Sequence, residues 1–414
     1  MTDQGDLTHL LLIIGGIVVA CSFLRLLSKR IAVPAVVGYL LLGFLLRLSE
    51  GFGPWITGST AEIFRFLADI GIIMLLFRVG LDMDIGNLLA QLRRASGIWV
   101  GDLTASSLTG FLAAWLLGLG LIPSLIVAAA LTATSVGVTI AVWQDNQALD
   151  TRQGGLLLDL AELDDISGVV LLAILLAVVP TLHAGNAESV LPLIGRSVAL
   201  VLGKLALFGL VCFFLSRHLE PRLRRLFEGN SADRGGMLLL AALGLAVMVA
   251  GAAGSLGFSL AIGAFFAGLV FNPDPKVRGL EESFAPLHDF FAPFFFIHMG
   301  LQIRPGALQA SLVIAGGLLL AAMTGKVLGA GLPARLFLGT GGAFLLGVSM
   351  IPRAEIAMII MSQGLRLGDW AVTPELFSAM VLVSFATCLL TPFALKPLLR
   401  RQLGAPESQP APAS

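Results

Sequence analysis

GGLLLDLAELDDISGVVLLAILLAVV, residues 154–179, is an almost wholly apolar stretch. As a helix of about 26 residues it can cross roughly 30 Å of hydrocarbon. Two adjacent carboxylates, Asp164 and Asp165, lie near its midpoint. An ionisable group at that depth costs at least about 2.5–3.5 kcal/mol on insertion scales, so it is rare without a partner or a water-filled cavity. Adjacent helical residues point about 100° apart, so one aspartate can meet a fixed cation while the other faces a cavity. The stretch predicts a membrane-spanning helix that carries a functional site.

The composition places this helix in an all-α polytopic membrane protein. The 414 residues are 57% hydrophobic and 13% charged, with a mean hydropathy of +0.93, and these values fit no ordinary soluble class. This hydropathy makes the lipid bilayer the expected partner. We expect no nucleic acid as a partner, and the net charge of zero does not bear on that question. Cys21, Cys212 and Cys388 lie inside apolar spans without metal-ligand spacing, and we interpret them as packing residues.

Thirteen apolar spans are predicted. They cover roughly residues 8–28, 33–48, 61–82, 97–119, 122–144, 154–179, 191–216, 235–253, 255–271, 289–303, 308–332, 339–363 and 374–397. Lys and Arg concentrate in alternate loops, which by the positive-inside rule predicts an N-terminus outside and a C-terminus in the cytoplasm. Residues 402–414 are rich in Pro, Ser and Ala and are expected to be disordered, and we expect no soluble nucleotide-binding domain in the chain.

Two spans carry interruptions near their middles. The fifth contains LTATSVGVT, where the hydroxyls of Thr132, Thr134 and Ser135 can pair backbone groups freed by local unwinding. The twelfth contains SMIPRAEIAM, where Pro352 removes a helical hydrogen bond. Each interruption is central in a run of three spans, four to six and eleven to thirteen, and the two runs have opposite topology. Paired interrupted helices in inverted repeats are typical of a secondary transporter's substrate site, although Ser, Thr and Pro also occur in membrane helices for packing alone.

A small set of charged residues is predicted inside the membrane: Glu162, Asp164, Asp165, Lys204, Lys326, Arg353 and Glu355. An ion pair between Lys326 and one aspartate would solve two burial problems together, and the alternative for Lys326 is snorkelling to the inner surface. Arg353 and Glu355 are two residues apart, so they do not face each other on one helix. Each is expected to pair across the interruption or with free backbone ends, as a structural clamp or in transport itself.

The chemistry of such a site follows from its charge. A carboxylate in a mid-membrane cavity is neutralised either by a proton or by a small hard cation, which favours oxygen ligands. Proton and cation therefore compete for one negative site, and this competition is the basis of exchange. Interrupted helices add carbonyl-bearing C-terminal ends for the cation.

Several motifs, in their order and spacing, resemble one family, the bacterial monovalent cation:proton antiporters of the sodium/proton and potassium/proton exchanger superfamily. They are VPAVVGYLLLGFLL (33–46), LADIGIIMLLFRVGLDMD (67–84), LTATSVGVTIAVWQD (131–145), AELDDISG (161–168), SLAIGAFFAGL (259–269), the Lys326 helix and MIPRAEIAMII (350–360). Each early motif is weak by itself, and the ordered set is specific. Glu162 and Ala354 depart from the family pattern, which usually has a small apolar residue and a glycine at these places.

The resemblance implies roles for the site residues. Asp165 would be the ligand that alternates between a proton and a metal cation, Na⁺ first and Li⁺ or K⁺ as alternatives, and Asp164 would be the partner of Lys326. Thr132, Thr134 and Ser135 would line the unwound crossing and would complete, with Asp164 and Asp165, the set that binds the cation and the proton. Arg353 and Glu355 would stabilise the crossing. An Asp-Asp pair with a core lysine resembles the electrogenic branch, in which more than one proton moves per cation.

The resemblance also implies an architecture and a location. A mobile core, residues 97–180 and 307–397, would move against scaffold and dimerisation helices, residues 1–90 and 235–303, with residues 191–217 as a linker. The protein would be a homodimer in the bacterial plasma membrane, active in pH homeostasis and without a cofactor.

Three alternatives differ in what they require. A cation-coupled carrier of organic solutes would use the same scaffold but would not need Asp164, Asp165 and Lys326. An intramembrane aspartyl protease, the enzyme alternative, needs two aspartates on different helices, whereas these are adjacent on one helix, so we do not expect an enzyme. A channel is disfavoured because tandem carboxylates with a lysine suit stoichiometric binding better than fast permeation.

Overall fold

The computed structural model describes residues 4–31, 35–49, 59–82, 85–184, 190–218, 222, 232–271, 278–303 and 305–403. Throughout these ranges the regular elements are helices. They are α1 (Gln4–Ile31), α2 (Ala35–Ser49), α3 (Ser59–Asp82), α4 (Ile85–Leu116), α5 (Leu121–Ala130), α6 (Val136–Asp145), α7 (Arg152–Ala184), α8 (Val190–His218), α9 (Ala232–Ser255), α10 (Leu260–Val270), α11 (Arg278–Leu301), a 3₁₀ turn (Pro305–Ala307), α12 (Leu308–Gly329), α13 (Gly331–Ser349), α14 (Glu355–Leu367) and α15 (Pro374–Leu403).

The predicted spans match these helices in order. Eleven spans correspond to one helix each, the fifth corresponds to α5 and α6, and the twelfth to α13 and α14. Six of the described helices, α1, α7, α8, α12, α13 and α15, are long and apolar enough to cross a membrane by themselves. Helices α5 and α10, with 10 and 11 residues, reach only about 15–17 Å, so they are too short to do so alone. The all-helical polytopic fold with two interrupted helices is confirmed.

Some helices extend beyond the predicted spans. Helix α4 begins at Ile85 and α11 at Arg278, both well before the predicted starts at 97 and 289, because a helix extends beyond the apolar segment that marks its place in the membrane. In α13 the backbone of Gly339 has φ 67°, so residues 331–338 form a separate short segment ahead of the predicted span. Of the expected disordered tail, residues 404–414 lie outside the described residues.

The helices pack in two groups. Helices α2, α3, α10 and α11 pack on one another, and α4–α7 pack with α12–α15. In the first group α2 and α11 are in backbone contact, since a Cβ at Gly43 would overlap the carbonyl oxygen of Ile297. Small residues allow this close approach between membrane helices. The second group contains both interrupted helices, and the site is built around them.

Candidate functional site

The two interruptions are hydrogen-bonded to each other. The backbone N–H of Ser135 donates to the carbonyl oxygen of Pro352 at 2.8 Å. Thr139 Oγ1 donates to the carbonyl oxygen of Ser349 at 2.7 Å, and Trp143 Nε1 donates to Ser349 Oγ at 3.1 Å. Backbone groups freed from a helix inside a membrane must find partners within the protein. The two breaks supply those partners to one another.

Arg353 binds the free backbone groups of the second interruption, between α13 and α14. Its side chain is fully buried, and Nη1 donates to the carbonyl oxygens of Met350 at 3.0 Å and Pro352 at 3.3 Å. The backbone N–H of Arg353 donates to Thr387 Oγ1 on α15 at 3.1 Å. The guanidinium therefore holds the freed C-terminal carbonyls of α13, where a cation is also favoured by the helix dipole.

Glu355 pairs across the crossing. Ser135 Oγ donates to Glu355 Oε2 at 2.6 Å, so the first residue of α14 is tied to the residue that precedes α6. Arg353 and Glu355 thus find different partners, the first in backbone carbonyls and the second in the opposite break.

Lys326 lies at the centre of a buried cluster. Its side chain is fully buried, and Nζ donates to Asp164 Oδ2 at 2.7 Å and to the carbonyl oxygen of Thr132 at 2.6 Å. It also forms an ion pair with Asp102 Oδ2. Three acceptors, from α4, α7 and the end of α5, match the three donors of an ammonium group. The lysine is therefore held inside the protein and does not snorkel.

Asp102 was missing from the sequence-based set. It is fully buried on α4, and Ser106 Oγ lies 3.4 Å from its Oδ1. The signal was present, because an acidic residue inside an apolar span is rare. The predicted start of that span at 97 puts Asp102 close to the membrane edge, whereas its ion pair with Lys326 places it inside the buried cluster.

The two adjacent aspartates face different surroundings. Asp164 is 1% exposed and, besides Lys326, its Oδ2 accepts a hydrogen bond from Thr134 Oγ1 at 2.7 Å. Asp165 is partly exposed and lines a cavity of about 580 Å³. The angle between consecutive helical residues thus places one carboxylate in a buried cluster and the other against open space.

The cavity has two chemically different walls. One carries oxygen-bearing side chains of the interrupted-helix group, namely Thr134, Ser135, Glu162, Asp165 and Glu355. The other carries polar and charged side chains of α1, α2, α3 and α11, namely Arg25, Tyr39, Arg78, His288 and Asp289, none of which was predicted as a site residue. On this wall Arg25 is paired with Asp289, and Arg78 Nη1 lies 3.3 Å from His288 Nδ1.

The predicted ligand set is therefore divided. Asp165, Thr134 and Ser135 lie at the cavity, whereas Asp164 and Thr132 do not line it. The hydroxyl of Thr132 donates to the carbonyl oxygen of Ala129 at 2.8 Å, so this residue reaches the cluster only through its own carbonyl. Lys204 lies apart, exposed on α8, with Nζ 3.4 Å from the carbonyl oxygen of Leu256.

Comparison with known proteins gives a family and several relatives. The family described as "Sodium/hydrogen exchanger, transmembrane" matches residues 16–401. The high-affinity Na⁺/H⁺ antiporter NhaS3 of Synechocystis is 29% identical over 413 residues, which cover 97% of this chain and 85% of that protein. The Na⁺/H⁺-K⁺ antiporter GerN of Bacillus cereus is 26% identical over 386 residues, 92% of each chain.

A third relative and a solved structure complete the comparison. The K⁺/H⁺ antiporter subunit KhtU of Bacillus subtilis is 28% identical over 343 residues, 82% of this chain and 80% of that protein. The structure of the sodium proton antiporter MjNhaP1 from Methanocaldococcus jannaschii superposes with a TM-score of 0.64 at 19% identity, covering 96% of this chain and 99% of the other. At that identity the superposition establishes the shared fold.

Proposed function

This chain belongs to the sodium/hydrogen exchanger family, and from that premise we propose that it exchanges Na⁺ for protons across the membrane by alternating access. Relatives that align along most of the chain include Na⁺/H⁺ and K⁺/H⁺ antiporters, so the protein is a cation/proton antiporter. The sodium specificity, the residues that bind the ions and the moving parts are our proposal.

The observation that carries the proposal is that the adjacent carboxylates of Asp164 and Asp165 lie in different surroundings. Lys326 neutralises Asp164 within the buried cluster, while Asp165 faces the cavity. An unpaired carboxylate is costly to enclose in a low-dielectric interior, so Asp165 must carry a proton or a cation before the cavity closes around it. That requirement couples the two ions. A protein with a charged, unoccupied Asp165 does not move its cavity from one side of the membrane to the other, so the site must return with the other ion bound.

Oxygen ligands for the cation surround Asp165. Ser135, Thr134 and Glu355 line the same wall of the cavity, and hard cations such as Na⁺ bind carboxylate and hydroxyl oxygens. K⁺ uses the same kinds of ligand, so a potassium/proton antiporter is the alternative. Exchange of more than one proton per cation would be electrogenic and sensitive to voltage, by about 2.3 kcal/mol per charge per 100 mV.

The position of the cavity supports a moving core. It lies between the interrupted-helix group, within residues 97–180 and 307–397, and the helices within residues 1–90 and 235–303. It extends from Asp165 to Arg25 and Arg78, near the ends of α1 and α3 that the distribution of Lys and Arg assigns to the cytoplasm. In the proposed orientation, N-terminus outside and C-terminus inside, the cavity faces the cytoplasm, and the scaffold helices form the homodimer.

The test uses purified protein in proteoliposomes, with cation-driven proton movement followed by a pH-sensitive dye and no organic solute present. We expect wild-type protein to respond to Na⁺ and Asp165→Asn to abolish exchange while still inserting and folding, because the amide neither binds the proton nor carries charge. Asp369→Asn, at an exposed position outside the site, is the matched control and should retain exchange.

Each other outcome has a defined meaning. Exchange by the Asp165→Asn protein at the wild-type rate would show that Asp165 is not the ion ligand. A wild-type response to K⁺ and not to Na⁺ would identify the protein as a potassium/proton antiporter. A wild-type protein that moves protons only when an organic solute is added would be a solute carrier.

A further inference from the structure

Two carboxylates, those of Asp102 and Asp164, share the Lys326 ammonium. The exchange function proposed above gives a role to Asp164 and none to Asp102. Asp102 and Asp164 both form ion pairs with Nζ, and both are buried. A buried carboxylate without a compensating charge is expensive, so Asp102 is retained inside the core by its partner. The effect of Asp102 on transport depends on how strongly the Lys326 ammonium binds Asp102 compared with Asp164.

The contact between Asp102 and Lys326 is fixed by the backbones that carry them. Helices α4 and α12 pack closely on each other. A Cβ at Gly325 would overlap Thr109 Oγ1, and a Cβ at Gly329 would lie 2.8 Å from the Cα of Asp102. These close approaches flank Lys326 along α12, so the two helices hold the pair in place.

Asp164, by contrast, has unused binding capacity. Its Oδ2 accepts hydrogen bonds from Lys326 and Thr134, while its Oδ1 is buried without a hydrogen-bond partner among the residues that the structure describes. Asp164 also adjoins Asp165 in the sequence, next to the cavity. A cation that enters beside Asp165 therefore meets in Asp164 a carboxylate already in contact with a fixed positive charge.

We propose that Asp102 is a positioning residue that holds the Lys326 ammonium toward α4 while the transported cation uses Asp164 together with Asp165. The proposal rests on the exchange function proposed above and extends it. The ammonium and the transported cation compete for Asp164, because like charges repel strongly at short range in a medium of low dielectric constant. A second carboxylate shares the ammonium and weakens its hold on Asp164, so Asp102 sets the apparent affinity for the cation.

The test measures the KM for Na⁺ and the maximal exchange rate at one fixed pH in proteoliposomes. In Asp102→Asn the ammonium is left to Asp164 alone, and we expect the KM for Na⁺ to rise by about tenfold or more, with a smaller change in maximal rate. Asp102→Glu keeps the second carboxylate, and its KM for Na⁺ should be lower than that of Asp102→Asn. The double variant D102N/K326Q removes the competing ammonium as well, and its KM should return toward the wild-type value.

The double variant separates positioning from a general loss of packing. A merely structural role for Asp102 would leave the double variant as impaired as the single one, or worse. An unchanged KM in D102N, or a KM in the double variant raised as far as in the single variant, would overturn the proposal. Should D102N yield no folded protein, the double variant decides alone, and a tenfold increase in its KM counts against the proposal.

Failure of the exchange function is distinguishable from failure of this inference. A wild-type protein that exchanges no monovalent cation for protons contradicts the function itself. A wild-type protein that exchanges Na⁺, with D102N showing the same KM, contradicts only the role of Asp102.

Discussion

At the scale of single residues, the Arg353 guanidinium binds mainly backbone carbonyl oxygens. Its Nη1 reaches the carbonyl oxygens of Met350 and Pro352 and lies 3.5 Å from Thr134 Oγ1. Arg353→Gln shortens the side chain and removes the charge, which leaves buried carbonyls without their donor at about 1–3 kcal/mol for each group. We expect a lower unfolding temperature for the detergent-solubilised protein, measured by intrinsic fluorescence during heating.

The control for this prediction is Arg335→Gln on the exposed first segment of α13, which should unfold close to the wild-type temperature. If the Arg353 variant unfolded at the same temperature as this control, the guanidinium would not stabilise the break.

At the scale of secondary structure elements, the distance between α4 and α12 decides whether Asp102 reaches Lys326. A Cβ at Gly329 would lie 2.8 Å from the Cα of Asp102 and 2.9 Å from the Cβ of Ala105, so Gly329→Ala must push the helices apart. Overpacking of this kind costs typically about 1–3 kcal/mol. We expect Gly329→Ala to lower the unfolding temperature and raise the KM for Na⁺ together.

Gly316→Ala provides the matched control on the same helix, since a Cβ there meets nothing within 4 Å. Equal stability and equal KM in the two alanine variants would show that the close contact is not needed.

At the scale of the whole molecule, the cavity lies on one side of the crossing, and an ion pair joins the two helix groups away from it. Arg366 at the end of α14 pairs with Asp69 on α3. If the core moves against the scaffold during exchange, a covalent link here must stop it. In a variant without Cys21, Cys212 and Cys388, we expect a short bifunctional methanethiosulfonate, which links the two thiols through disulfides, to block exchange by D69C/R366C. A reductant cleaves these disulfides and should restore exchange.

A link inside one helix group should have no such effect. His183 at the end of α7 stacks on Trp370 with ring centroids 3.9 Å apart, and both residues lie in the interrupted-helix group, Trp370 between α14 and α15. H183C/W370C should therefore keep exchanging after cross-linking. Full exchange by the cross-linked D69C/R366C protein would contradict movement at this interface.

Much of the architecture could be predicted because its causes are local in sequence. Apolar segments predict where helices cross, Pro352 and the clustered hydroxyls of residues 132–135 predict where they break, and the helical angle predicts that Asp164 and Asp165 diverge. The motif order predicted the family, which the match over residues 16–401 confirms. Helix ends were less predictable, because apolarity marks the part in the membrane and not the whole helix.

The sequence by itself determined the order of the apolar helices, the two interruptions and the presence of acids that need neutralising. The family resemblance implied that Lys326 pairs with Asp164, and only the tertiary structure brought Asp102 to the same ammonium. Lys326 meets Asp102 and Asp164 from 224 and 162 residues away, and the cavity wall opposite Asp165 comes from Arg25 and His288 on other helices. The physical reason is that burial makes a partner obligatory, while the choice of partner depends on how close the helix backbones can pack.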